Sequence, residues 1–352
     1  MKNYILLFSI LFAGCSPSPN FKTFPKIDVH VHLETADDSF IQVVEDNSFK
    51  LLTLVTRSES PDVIRKEYDF ARNLHQGHPQ TVGVATTISM DGFSETDWQE
   101  NTIAWLQESF DGGAIAVKIW KDVGMTFRNA DSTFIFIDDP RFDPILDFIE
   151  SQNKTLVNHT AEPKNCWLPL EEMTVKGDSS YFARNPQYHM YLHPDYPSRE
   201  EILAARDRML KKHPNLRYVG CHLGSMEWNV DEMAGWLDKF PNYGLDMAAR
   251  IVHFKVQDRE KVRDFIIKYQ DRLLYGTDIA INDRGSNSST AERAQNIVTD
   301  VWQDDWEYFA TDHILTQNDK VKEYQGLDLP VSVLQKIYHD NAMKMYPGLG
   351  MD

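Results

Sequence analysis

Ile27-Asp28-Val29-His30-Val31-His32-Leu33 is the stretch on which the fold turns. Apolar β-branched residues alternate with polar ones, the pattern of a strand whose two faces meet different surroundings. Residues two apart on a strand share a face. The alternation therefore places His30 and His32 together, pointing into an enclosed interior, and turns Val29 and Val31 toward covering helices.

Runs of the same kind recur along the chain. They lie at 27–33, 51–56, 81–88, 114–120, 155–160, 217–223, 242–248 and 273–279, separated by longer amphipathic segments. Strands alternating with helices point to βα units and a parallel sheet, and eight such units close an α/β (β/α)8 TIM barrel. Ser60 and Pro61 read as the N-cap and first residue of one helix, and Ser198 with Glu201 as the capping box of another. A last helix is expected from 331 to 345, with Val331, Leu334, Ile337 and Met345 facing inward. The barrel has long loops after strands 5 and 8, at 161–197 and 280–330, which by their position lie over its C-terminal mouth.

The mouth ends of the strands carry the reactive side chains. His159 ends Leu156-Val157-Asn158-His159, and His222 ends Val219-Gly220-Cys221-His222. Any one of these could be a core histidine bonded to a carbonyl, but four of the chain's 12 histidines at three strand ends is not a random scatter. Asp278 ends Leu274-Tyr275-Gly276-Thr277-Asp278. It could cap the next segment or pair with an arginine; beside imidazoles it can bind a metal and take a proton from water acidified to a pKa of about 7 on zinc. Lys118 ends Ile115-Ala116-Val117-Lys118, and an ammonium repels a metal ion. Three roles stand open for it: a carbamylated bridge between two metals, a cation that holds a substrate carboxylate or carbonyl, or a salt bridge to Asp28 or another inward carboxylate. The loops add Trp120, Lys121, Arg141, Trp167, Arg184, His189, His193, Trp228 and Arg250, a mixture of aromatic walls and cations that suits a small anionic or sugar-like ligand. His189 and His193 are four apart but lack the Glu of a His-Glu-x-x-His protease site.

The 352 residues, 42% hydrophobic and 25% charged, fit one large globular domain. A net charge of −17 without any Lys/Arg stripe argues against nucleic acid. Residues 1–14 read as a signal peptide: Lys2, an apolar run from Tyr4 to Phe12, then Ala13 and Gly14 before Cys15. The pattern resembles a bacterial lipoprotein signal, which implies a lipid on Cys15, a tether at 15–24 and a catalytic domain at 25–348. The expected location is a membrane held through Cys15, on the periplasmic side of the outer membrane in a Gram-negative source. Cys166 and Cys221 are too few for a disulfide framework and are expected buried and reduced.

Taken together, the chain resembles the amidohydrolase superfamily, in its amidohydrolase-related branch. His30 and His32 match the first-strand His-x-His, Lys118 the fourth-strand lysine of binuclear members, His159 and His222 the fifth- and sixth-strand histidines, and Asp278 the eighth-strand aspartate. The resemblance runs from about 24 to 347 and includes Leu-Pro-x-x-x-Leu-x-Lys-Ile-Tyr-x-x-Asn-Ala at 329–342. It implies one or two divalent ions, zinc or alternatively manganese, held by His30, His32, His159, Asp278 and a modified Lys118. Asp278, His222 and Lys118 are then the catalytic groups, with His222 steadying an oxyanion or completing the metal shell. The expected reaction is hydrolysis of a lactone, ester or amide by metal-activated water. A decarboxylase or other lyase is the alternative; decarboxylases of this branch often replace the first His by Glu, so His30 favours hydrolysis. A non-catalytic ligand-binding lipoprotein is a third reading, against which an Asp among imidazoles argues. The partner is a small-molecule substrate; oligomeric state, a homo-oligomer included, stays open.

Overall fold

The structure, a computed structural model, describes residues 19–56, 60–282, 288–317 and 321–350; the signal segment and Cys15 lie outside them. Each of the eight apolar runs holds a strand. These are β1 (Lys26–Glu34), β2 (Phe49–Leu54), β3 (Val82–Thr87), β4 (Ala114–Ile119), β5 (Thr155–Asn158), β6 (Arg217–Gly220) and β7 (Gly244–Asp246), followed by an eighth run divided into β8 (Leu273–Leu274) and β9 (Ile279–Asn282). All pair in parallel, in the order β8-β7-β6-β5-β4-β3-β2-β1-β9. The ring closes because the divided strand changes partner. β8 pairs with β7 and β9 with β1, while the Val29 N–H donates to the Tyr275 carbonyl at 3.1 Å and the Asp278 N–H to the His30 carbonyl at 2.8 Å. The fold is a (β/α)8 barrel.

Strict alternation fails in one place that matters. Between Asp28 and Val31, three steps along β1 match only two along β2, from Leu51 to Thr53, so β1 carries a bulge. A bulge inserts one residue and reverses the facing of the residues after it. Val29 consequently packs in the barrel interior with Leu52, Val157, Val219 and Leu274, whereas Val31 packs outward in the layer that includes Ile64 and Leu106. The expectation that both valines face the helices is corrected for Val29. Asp28 is likewise turned outward, to Trp302.

The interior closes below with the chain's own tail: Tyr346 and Leu349 are buried among Ile27, Leu52 and Leu274. Gly83 on β3 leaves room for that plug, since a Cβ there would lie 2.4 Å from Leu349 Cδ1. Ser60 caps the helix Pro61–Gly77, and Ser198 and Glu201 form the reciprocal capping box of Arg199–Lys212. The last helical segment runs Val331–Gln335, a π turn Lys336–Asp340, and Asn341–Met345. Leu334, Ile337 and Met345 are buried as expected, but Val331 is 44% exposed, because it lies in the first turn before the helix meets the barrel.

The two long connections differ from bare loops. After β5, 161–197 carries the helix Lys176–Arg184 and forms a small core of its own from Ala161, Cys166, Phe182 and Met190 with Met125 and Ile202. The second begins after Asn282 rather than at Ala280, because Ile281 is buried and continues the sheet opposite Leu33. It carries the helices Thr290–Ile297 and Gln303–Ala310 and an antiparallel hairpin, β10 (Ile314–Gln317) with β11 (Val321–Gln325).

Candidate metal centre

Three strand-end imidazoles are oriented in the same sense. His30 Nδ1 meets Asp246 Oδ2 at 3.0 Å, His32 Nδ1 meets the Leu54 carbonyl at 2.9 Å, and His222 Nδ1 meets the Ala248 carbonyl at 2.8 Å. Each of these partners accepts, so each Nδ1 carries a proton, and in the neutral imidazole each Nε2 then presents a lone pair. Asp278 Oδ1 lies 2.9 Å from His32 Nε2 and 3.3 Å from His30 Nε2. With neutral imidazoles lone pairs face lone pairs here, and the arrangement calls for positive charge among them, a shared proton or a metal ion. His30, His222 and Asp278 bring ligand atoms within 4.8 Å of one another. His159 stands against His222, ring centroids 4.1 Å apart, with both ring nitrogens buried and unpartnered.

The electrostatics agree. Burial holds His159 and His222 well below the usual imidazole range, reinforced at His159 by His222, Lys121 and Lys118 and outweighing the opposing pull of Asp278 at His222, so both are neutral and ligand-competent. Burial and Lys118 press His30 the same way, but Asp246, Cys221 and Asp278 overcome them and raise it: the acidic groups draw positive charge to this spot. Burial opposes ionisation of Asp278 too, yet His30, His32 and His222 hold its carboxyl well below the usual range. About a third of that side chain is exposed (32%), so an anionic oxygen remains open to the mouth.

Local backbone serves this geometry. His222, Leu223 and Ser225 all take left-handed φ values (56°, 57° and 60°), and so does Asp278 (67°). Such conformations cost about 1–2 kcal/mol per non-glycine residue and persist only where surroundings over-determine them. At His222 the surroundings are Asp246, whose Oδ1 accepts from the His222 N–H at 2.8 Å and from the Ala248 N–H at 3.1 Å.

Lys118 is fully buried, with Nζ 3.0 Å from Cys221 Sγ and 3.4 Å from His30 Nε2. The suggested salt bridge to Asp28 does not form, because the β1 bulge turns Asp28 out of the barrel. Cys166 and Cys221 are buried and free. Of the loop residues, Trp120 packs edge-on to His159 at 5.1 Å, Lys121 pairs with Glu162, and the Arg250 guanidinium lies 3.9 Å from the same carboxylate. The others are engaged elsewhere: Arg141 with Asp139 and Asn129, Trp167 with the Pro197 carbonyl, Arg184 with that of Ser180, His189 with that of Leu168, His193 with that of Pro186, and Trp228 with Glu232. A cavity of about 520 Å³ between the helices Pro61–Gly77 and Trp98–Asp111 contains none of the centre's residues, and its chemistry gives no reason to prefer it.

Sequence reasoning missed Asp246 and the role of Cys221. Asp246 had one signal, an acid at the mouth end of the seventh run, the position that was informative in the other strands. Cys221 had none beyond its place before His222.

A family model described as amidohydrolase matches residues 92–348. The chain belongs to the amidohydrolase family. With it, the chain is a metal-dependent enzyme of the amidohydrolase superfamily. The matched segment includes Lys118, His159, His222 and Asp278, while His30 and His32 precede it. Among solved structures the chain is similar to a 2,6-dihydroxybenzoate decarboxylase from Rhizobium, at 13% identity over 92% of this chain and 98% of that one, with a TM-score of 0.53. It is also similar to a dihydroxybenzoic acid decarboxylase from Polaromonas sp. JS666 with bound manganese and the inhibitor 2-nitroresorcinol, at 13% identity over 92% and 97%, with a TM-score of 0.54. At such identity the likeness is one of fold. No curated protein matches the chain.

Proposed function

We propose that this enzyme hydrolyses a carbonyl bond, in a lactone, ester or amide, of a small anionic or sugar-derived substrate. The observation that carries the reading is the convergence of the His30, His32 and His222 imidazoles on the open carboxylate of Asp278. A divalent ion bound there, zinc or manganese, supplies Lewis acidity for water and carbonyl alike. His30, His32, His159 and Asp278 are the proposed ligands. Donation from Nδ1 to the Ala248 carbonyl leaves His222 with a lone pair rather than a proton at Nε2, which favours completing the ligand set over hydrogen-bonding an oxyanion. Asp278 takes the proton from the attacking water and returns it to the leaving group. Lys121 and Arg250, near His159, share the single Glu162 carboxylate, and the positive charge left over is what an anionic substrate would meet.

Those same cations give decarboxylation of a carboxylated substrate a footing as the second reading. Substrate screening in H₂¹⁸O separates the two. Hydrolysis places one ¹⁸O in the product and releases no carbon dioxide from the substrate; decarboxylation does the reverse and would overturn the proposal.

The lipid anchor is proposed on the sequence pattern around Cys15. Among the described residues no helix is long and apolar enough to cross a membrane. Cys15→Ser should release the protein from the membrane fraction, and an unchanged distribution overturns the anchor.

A further inference from the structure

The bulge in β1 and the break between β8 and β9 meet at one side chain. Asp28 Oδ1 accepts from the His30 N–H at 3.2 Å and the Thr277 N–H at 3.1 Å. Its Oδ2 accepts from Thr277 Oγ1 at 2.6 Å and Trp302 Nε1 at 3.1 Å. The carboxylate is wholly buried, and its two oxygens take four donors. Two of those donors belong to the residue before Asp278, and one is the backbone of His30. Neighbouring contacts tighten the same junction: the Asp278 N–H donates to the His30 carbonyl, and a Cβ at Gly276 would lie 3.1 Å from His30 Cβ.

We propose that Asp28 is a positioning residue that joins the β1 bulge to the break in the eighth strand and so sets the separation and aim of His30 and Asp278. This rests on the reading of those two residues as metal ligands. The physical reason is the acceptor count. Asp278 holds a left-handed φ of 67°, less favourable for an aspartate than the right-handed region, so hydrogen bonds on its neighbours help to hold it. Thr277 is fixed by two hydrogen bonds to one carboxylate, and both relax if that group stops accepting. An alternating strand would have carried Asp28 into the barrel; the bulge is what delivers it to Thr277 and Trp302. Substitution by Asn keeps the shape but turns one oxygen into a donor, so whichever way the amide sits, two of the four donors lose their acceptor.

The test uses Mn²⁺ alone as the probe, with binding measured by calorimetry, and amide hydrogen exchange read on metal-free protein. Asp28→Asn should weaken Mn²⁺ binding by about tenfold or more, as loss of a group that orients ligands does. It should also raise exchange in peptides covering 27–33 and 273–282. Trp302→Phe removes the one donor of the four that belongs to neither ligand strand; it should lower Tm yet leave Mn²⁺ affinity within about twofold of wild type, far from the orienting effect. Thr277→Val should weaken binding and Thr277→Ser restore it, which keeps the test open if Asp28→Asn does not fold. Wild-type affinity and exchange in Asp28→Asn or Thr277→Val, or equal losses in Trp302→Phe, overturn the proposal. Wild-type protein that takes up no Mn²⁺ would count against the metal reading itself, while hydrogen exchange would still decide whether Asp28 holds the junction.

Discussion

The two ends of the barrel are made from the same strands and do opposite things. At the lower end Ile27, Leu52, Val157, Val219 and Leu274 meet Tyr346 and Leu349 in a plug that is apolar apart from the buried Tyr346 hydroxyl. At the mouth those strands, a few residues on, present His30, His159, His222 and Asp278, with Asp246 and Lys118 buried among them. Burial at the lower end removes apolar surface from water and stabilises the fold. At the mouth the same burial desolvates charges, and the groups are tolerable only because each has an oriented partner or a place for a cation. Stability and chemistry are thus separated along the strand axis, which is why such a barrel can change its reaction without losing its core.

The separation can be broken most visibly at Asp278. Asp278→Asn is nearly isosteric and touches the plug nowhere, so Tm should move little, whereas loss of a general base costs about 10²–10⁴-fold in kcat. Near wild-type kcat with normal metal content would mean the proton is carried by another group. The converse is Leu274→Ala. It deletes a side chain with no solvent exposure, and large-to-small changes of this kind cost about 2–5 kcal/mol in denaturant unfolding. The metal content of the folded fraction should stay unchanged, and coupled loss of both would show that the two ends are not independent.

Lys118 lies between the two regimes, and its replacement sharpens the boundary. Its ammonium sits 3.4 Å from His30 Nε2, where like charge opposes a bound ion. Lys118→Met should therefore keep one equivalent of metal, bound as tightly as in wild type or more so, by titration against a chelator. Loss of one ion out of two would instead assign Lys118 as a carbamylated bridge.

How much of this was legible divides along the same line. The eight strands could be read because buried strands are apolar runs, and the strand-end histidines and Asp278 stood out because polar residues are rare there. The β1 bulge left no mark on the alternation: Val29 and Val31 look equivalent in sequence, and only the pairing of Asp28 with Leu51 and Val31 with Thr53 separates them. Asp28 could not be assigned for the same reason, since its four donors come from residues up to 274 positions away. Asp246 was legible in position but not in role, which depends on the His30 and His222 contacts made only when the ring closes.

The smallest predicted effect tests the limit of periodicity at the lower end. Val331 shares helical spacing with Leu334, yet the first is 44% exposed and the second fully buried. Spacing gives a face but not where along the helix that face meets its neighbour, and Pro330 starts the helix one turn before contact begins. Within the π turn Lys336–Asp340, Ile337 and Tyr338 continue the buried stripe that Leu334 begins. Val331→Ala should therefore change unfolding free energy by no more than about 0.5 kcal/mol, the range of ordinary surface substitutions. Leu334→Ala, three residues away, should cost about 2–5 kcal/mol as a core deletion. Comparable losses at the two positions would place the start of the helix against the barrel, restore the inward stripe at Val331, and remove the distinction between the helix's free first turn and the plug it leads into.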